Sequence, residues 1–522
     1  MIWNSLNEAQ TMKTSLLNNK RALLALFATL SCVVSSHALA KKTKAVEFNE
    51  IMISSPYKLT QEIIATDILV SKGKELVTFS IDDQSNRWLM IYQLNQAANQ
   101  YVIAEKAMVP NEFYRFDLSK KKGASKQSLY FLSTDSLFHY QDNKFKRLTK
   151  IESLYIQDQA DFISRGDFIQ DLNNDDFDDV IIADFNKTHV FIGQGLNTFA
   201  KQTLPIKPNV RVLSAGASYT ETKLYFSDVN FDDKTDILVV GDGEMVVYSQ
   251  YGASHFAKEA TRIAINKAIS GTEWWNKRDE SGEQLDQSDL EYRKIEELRD
   301  VNADGMTDMV VRYTKTSGVL DRVNDYEIFL GNQSQGTLSY ANEADSVIHA
   351  EGTLTGLEFV DINNDDKLEV LLAGFDIGLS QIIGALVTGG IDQDVYVFKM
   401  NKQDKFPTRP AIKKGVELTF SLSSGQSGSA IVKLADLNGD GLKELILSND
   451  DDELKIYLGI KPNKKKKSFK KRSVSYDTQL PKDGNLVMVE DLNGDGKDDL
   501  LMKFSRLDGE DEAKQFKVLF SL

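Results

Sequence analysis

The sequence predicts an all-β chain folded as a β-propeller of four-stranded blades, eight in number with seven as the alternative, closed by its own N-terminal strand. Three observations lead there. A nonapeptide rich in Asp and Asn recurs, its copies stand about 61 residues apart on average, and each precedes short β-branched and aromatic runs broken by Gly, Asn and Asp. That period has the size of a blade rather than of a solenoid repeat, and four strands per unit is propeller grammar.

The N-terminus bears on the compartment. Lys20 and Arg21 precede an apolar run from Ala22 to Val34, and Ala38-Leu39-Ala40 offers an A-x-A cleavage site. This is the order of a secretory signal peptide. The run falls short of the roughly 20 residues of a permanent span. The expected organisation is a signal peptide over 1–40 and one propeller domain over 41–522. The product is expected to be periplasmic or secreted, with no transmembrane segment. Cys32, the one cysteine, lies inside the apolar run, and Thr29 stands where a lipoprotein signal has leucine. The processed chain then has no thiol or disulfide chemistry.

The net charge is −15, and −17 without Glu8, Lys13, Lys20 and Arg21 of the leader. Such an excess of acid argues against nucleic acid as a partner and suits calcium.

The nonapeptide reads DLNNDDFDD from Asp171, DVNFDDKTD from Asp228, DVNADGMTD from Asp300, DINNDDKLE from Asp361, DLNGDGLKE from Asp436 and DLNGDGKDD from Asp491. A copy from Asp67 to Glu75 keeps the frame but has Leu69 and Ser71 at the third and fifth positions. A second, around Asp117, keeps only the first acid and the strand after it. Strands are expected at Val180–Ala183, His189–Ile192 and Phe199 in one unit, and at Leu445–Leu447, Lys455–Leu458 and Phe469 in another. The last unit has room for about three strands, and Val46–Ile53 is expected to supply the fourth.

Calcium takes six to eight oxygens, and a tight loop with acids at alternate positions supplies them. The expected ligands are Asp171, Asn173, Asp175 and Asp179; Asp228, Asn230, Asp232 and Asp236; Asp300, Asn302, Asp304 and Asp308. The remaining turns give Asp361, Asn363, Asp365 and Glu369; Asp436, Asn438, Asp440 and Glu444; Asp491, Asn493, Asp495 and Asp499. A seventh-position carbonyl, such as that of Leu442, would join them. Gly441 permits the positive φ of a sharp turn, and Asp176, Asp233 and Asp366 stand in its place elsewhere. An EF-hand would need Glu at position twelve and a helix after it. Position twelve is Ile182, Val239, Val311, Leu372, Leu447 or Met502, all apolar.

These repeats resemble FG-GAP or VCBS-type repeats, the blades of bacterial propellers related to the integrin α-subunit head. The resemblance covers roughly 45–522 and implies about six structural calcium ions, one per intact loop, each on the turn between the first and second strands of a blade. The chain lacks clear Phe-Gly and Gly-Ala-Pro signatures.

No catalytic residue is expected. His139, His189, His255 and His349 are scattered without metal-ligand spacing, and Gly425-Gln-Ser-Gly lacks the glycine two places after Ser427 of a nucleophile elbow. The expected role is a protein- or glycan-binding scaffold of adhesion type at the cell envelope. The alternative is a carbohydrate-active enzyme, a polysaccharide lyase or glycosidase, using carboxylates. Three stretches depart from the blade pattern: 263–292 with Trp274-Trp275, the apolar Gly-rich 375–394, and the basic 461–472 with Lys464–Lys467.

Overall fold

A blade begins from strands that are buried at every position and apolar through their middle. In the third repeat Asp179–Ala183 and Thr188–Gly193 are buried throughout, whereas Phe199–Leu204 is half-buried. A continuous apolar run of this length is a strand covered on both faces. Each blade therefore sandwiches its middle strands between its two neighbours.

The computed structural model describes residues 46–119, 126–154, 161–195, 198–213, 215–279, 281–317, 322–349, 353–375, 390–421, 426–461 and 468–522. The chain divides into Met1–Glu47 and Phe48–Leu522, and the second unit is the propeller. It is all-β, with eight blades in a ring. Helical structure among the described residues is confined to three short 3-10 turns.

Seven blades are consecutive in the chain. Their first strands are Ile64–Thr66, Arg115–Leu118, Ile169–Gln170, Tyr225–Ser227, Leu290–Arg299, Thr353–Val360 and Val432–Ala435. The eighth takes Val487–Glu490, Asp499–Lys503 and Gln515–Ser521 from the C-terminal end, and Phe48–Ser54 from the N-terminal end. Phe48–Ser54 runs antiparallel to Gln515–Ser521, from Phe48 opposite Ser521 to Ser54 opposite Gln515. The expected closure is therefore present, and it removes the two open sheet edges that an unclosed ring would expose.

The core is a series of apolar clusters, each shared by two adjacent blades. Val77 and Leu89 of the first blade pack with Phe116 and Phe131 of the second, the Phe79 and Phe116 rings lying 4.5 Å apart. At the closure Ile53, Phe516 and Leu501 of the eighth blade meet Leu76 and Tyr92 of the first.

Three sequence expectations are corrected. Asp117 does not open a turn: it lies within the strand Arg115–Leu118, fully buried, and its Oδ2 accepts from the Ile169 amide at 2.8 Å. Its carboxylate ties the second blade to the third. The last strand of the seventh blade is Val474–Asp477 rather than the segment at Phe469, which makes only a single bridge to Gly459. The departure at 263–292 is shorter than expected, because Thr261–Ala264 completes the fourth blade and Leu290–Arg299 begins the fifth. Within it Trp274 is buried and Trp275 exposed. The apolar stretch lies mostly, and Lys464–Lys467 wholly, outside the described residues.

Candidate metal-binding turns

All six intact nonapeptides occupy the turn between the first and second strands of a blade, from the third blade to the eighth. In each, the carboxylates have the same partners. The first acid accepts from the position-five amide at 3.1–3.3 Å and from the position-six amide at 2.8–3.2 Å. The fifth accepts from the position-seven amide at 2.8–3.3 Å. The ninth accepts from the position-two amide at 2.7–3.4 Å.

The second oxygen of the ninth acid reaches across the sheet. It accepts at 2.8–3.1 Å from the amide of Gly193, Gln250, Gly331, Gly459 or Ser521, near the end of the third strand of its blade. Glycine recurs there because a Cβ would stand 2.6–2.7 Å from the position-eight carbonyl of Asp178, Thr307 or Lys443. In the sixth blade the Lys399 ammonium takes this place, 3.0 Å from Glu369.

The expected positive φ at position six is present, at 64° for Asp176, 62° for Asp233, 65° for Asp366 and 81° for Gly441. Sequence reasoning missed that position four is left-handed too. Phe231 has φ 59° and Ala303 has φ 60°, where Gly439 and Gly494 stand in the last two turns.

The turns are also chained to one another. Position-eight amides donate to position-two carbonyls of a neighbouring blade: Leu368 to Val301 at 3.1 Å, Lys443 to Ile362 at 3.1 Å, and Lys74 to Leu492 at 2.8 Å across the closure. Asp498 donates instead to the Asp436 carbonyl at 2.8 Å, and its Oδ2 accepts from the Asp436 amide at 2.6 Å. The position-two residue thus holds its own turn through its N–H and the next blade through its C=O.

The chemistry of the donor set fits a hard cation. The ninth acids are only 0–2 % exposed. Burial, reinforced by the carboxylates at positions one and five, pushes Asp179, Asp308, Glu444 and Asp499 up to about 7 and Asp236 up to about 6. Burial also raises Glu369, with Lys399 opposing. Each amide-bound oxygen keeps a second lone pair. At position three, Asn173 Oδ1 is buried without a hydrogen-bond partner, an orphaned acceptor that a cation would satisfy. When bound, calcium supplies positive charge and oxygen coordination to these turns, with no redox or Lewis-acid step required of it.

The degenerate turn of the first blade differs in kind. Glu75 keeps the ninth-position role, accepting from the Ile68 and Leu69 amides at 2.8 and 2.9 Å. Leu69 and Ser71 remove two donors, and Lys74 Nζ lies 3.6 Å from Asp67 and 3.3 Å from Glu490. A lysine ammonium supplies the positive charge there.

One further group of potential ligands lies outside the turns, among the described residues. His189 Nε2 stands 3.4 Å from Asp184 and 3.5 Å from Glu152. Lys187 Nζ closes the group, 3.2 Å from Glu152 and 3.6 Å from Asp184. His189 Nδ1 has no partner, whereas a metal-bound imidazole ordinarily donates its other N–H. The group is an ion-pair network on the hairpin of the third blade. His139, His255 and His349 belong to the second, fourth and fifth blades and are not brought to it. No helix among the described residues is long and apolar enough to cross a membrane.

Residues 436–502 match the model of the FG-GAP-like repeat family. No curated protein matches the chain. Similar solved structures include an Agrocybe aegerita lectin recognising non-reducing terminal N-acetylglucosamine, 14 % identical, covering 80 % of this chain and 94 % of that one at a TM-score of 0.42. The BBS1N–ARL6DN complex is 8 % identical over 91 % and 96 % of the two chains, TM-score 0.36. A putative 6-phosphogluconolactonase from Bacteroides uniformis is 11 % identical over 66 % and 85 %, TM-score 0.30. Repeats of the matched family often bind calcium. With that match running from the first turn of the seventh blade into the eighth, the chain is an eight-bladed β-propeller that carries an FG-GAP-like repeat.

Proposed function

We propose that this chain is an exported, calcium-stabilised binding propeller that engages a protein or glycan at the cell envelope or outside the cell. The calcium reading rests on the six turns, whose first and fifth carboxylates crowd a buried ninth acid and whose amides link blade to blade. Ions at Asp171–Asp179 and its five counterparts would neutralise that crowding and hold strand one to strand two.

The observation that carries the binding role is an arm between the third and fourth blades. Asn209–Leu213 and Gly216–Thr220 form a two-stranded hairpin outside both blade sheets. Val210, Val212 and Tyr219 are exposed on it, Val212 by 82 %, and the Tyr219 ring meets exposed Phe185 edge-on at 5.1 Å. An isolated hairpin is marginal in water, and apolar side chains on one gain from a partner's cover. Export rests on the leader-like order of residues 20–40.

The test is a glycan array and an envelope-protein pull-down in millimolar calcium, with the arm variant Val212→Ser/Tyr219→Ser alongside. Retention lost in the variant, at an unchanged melting temperature, supports the reading. Turnover of a bound glycan, or retention that ignores the arm, would replace it.

A further inference from the structure

Lys503 ends the second strand of the eighth blade, away from the nonapeptide turn, and is only 5 % exposed. Among the described residues its Nζ makes no hydrogen bond and no ion pair. The acids around it, Asp483, Asp508 and Glu62, act on it only at longer range. Two of them are otherwise engaged. Asp483 accepts from Ser429 and the Asn485 amide, at 2.5 and 3.1 Å. Asp508 accepts from the Lys482 and Ser505 amides at 2.8 and 2.7 Å. Burial draws the Lys503 pKa down, as it does for an ammonium without a bonded counter-ion. Lys517, in the next strand, is as deeply buried but has Thr478, Gln479 and Glu50 within 3.0 Å.

Lys503 lines a cavity of about 270 Å³. Four blades contribute to it: Glu62 and Ile63 from the first, Glu358 from the sixth, Lys433 and Leu434 from the seventh, and Met488 and Leu501 from the eighth. The floor is apolar, through Ile63, Leu434 and Leu501, all buried. Glu62 and Glu358 are exposed at its rim. This volume is below the roughly 300–1,000 Å³ of sites for drug-sized ligands.

We propose that this cavity binds a small organic carboxylate, its anionic end on Lys503 with Lys433 beside it and its apolar body against Leu434, Met488 and Leu501. A buried ammonium without a bonded partner is costly, and a ligand carboxylate removes that cost while the apolar floor takes up the hydrocarbon. A ligand that also carries an amine would set it at Glu62 and Glu358.

The test is isothermal titration of the full propeller, in calcium, with butyrate, benzoate and leucine, each to 10 mM. Binding of at least one is expected. Benzamide, which keeps the shape of benzoate without its charge, should bind at least ten-fold more weakly. Lys503→Met should cost at least ten-fold in carboxylate affinity while the ligand-free melting temperature holds or rises. Leucine binding above benzoate assigns a zwitterion, and the reverse assigns a plain carboxylate. No binding by any of the three, benzamide binding as well as benzoate, or a folded Lys503→Met protein binding like the parent would each overturn the site.

Discussion

Lys517 Nζ lies 2.7 Å from a carboxylate oxygen of Glu50, an ion pair between Gln515–Ser521 and the strand that closes the ring. Lys517 is 1 % exposed and also donates to Thr478 Oγ1 at 2.6 Å and to the Gln479 carbonyl at 3.0 Å, both in the segment after the last strand of the seventh blade. Thr478 Oγ1 in turn donates to Glu50 at 2.8 Å. The closing strand is therefore held to the neighbouring blade as well as to its own. Glu50→Gln leaves a buried ammonium with only neutral partners. Because Glu50 keeps 37 % of its side-chain exposure, the expected loss is about 1–3 kcal/mol, below that of a fully buried pair. Urea unfolding measures it. Removing residues 48–54 should instead bring insolubility or a fall of many degrees in melting temperature, and a truncated protein that melts like the parent would contradict the closure.

Calcium should be countable. About six ions are expected by native mass spectrometry in millimolar calcium, with Asp440→Ala losing one and Asp67→Ala none. A ligand bound only by the folded state adds RT ln(1 + [L]/Kd) per site, so chelation should lower the melting temperature by many degrees. Calcium, more than magnesium, should restore it. A count of zero or one with no chelator effect would refute the assignment.

Ala303 holds φ at 60° on an exposed turn. A left-handed non-glycine residue costs about 1–2 kcal/mol, against which glycine loses roughly 0.4–1 kcal/mol through the freedom of the unfolded chain. Ala303→Gly should therefore raise stability by up to about 1 kcal/mol in calcium-loaded protein. A clear loss in thermal melts would show that the turn depends on the Ala303 side chain.

Asp82 offers a pH signature. Its Oδ2 accepts from Trp88 Nε1 at 2.9 Å and from Asn86 Nδ2 at 3.0 Å. These bonds, that to Trp88 foremost, hold its carboxyl down at about 2. A carboxyl lowered on folding contributes stability above its unfolded value, near 4, and that contribution is lost as pH falls toward 2. Trp88 emission should change on acidification around pH 2 rather than near 4, and Asp82→Asn should abolish that step. A transition at pH 4 in the parent would contradict the hydrogen bond.

Much of the fold was legible because the nonapeptide is both repeated and chemically explicit. Acids at positions one, five and nine marked the turn, and Asp176 or Gly441 at position six marked its left-handed residue. Position four was missed although Asn174, Asn364, Gly439 and Gly494 stand there, because Phe231 and Ala303 break the pattern and announce no positive φ. Nor was the chaining of the turns, which uses backbone groups that any residue carries. Asp117 misled because a lone acid before an apolar run reads the same whether it opens a turn or lies in the strand. Lys503 could not be singled out from sequence: its cavity is assembled from segments as distant as Glu62, Glu358 and Lys433.

The pairing of Phe48–Ser54 with Gln515–Ser521 also imposes a waiting time. At roughly 5–20 residues per second, a ribosome needs about half a minute to a minute and a half to travel from one strand to the other. Throughout that interval Phe48 and Ile53, buried in the finished ring, lack their partners on the pairing strand. Seven blades can be laid down in order, but the eighth exists only once Gln515–Ser521 has been made. Until then Phe48–Ser54 is an adhesive end, and whatever accompanies the nascent chain must keep it from any partner but Gln515–Ser521.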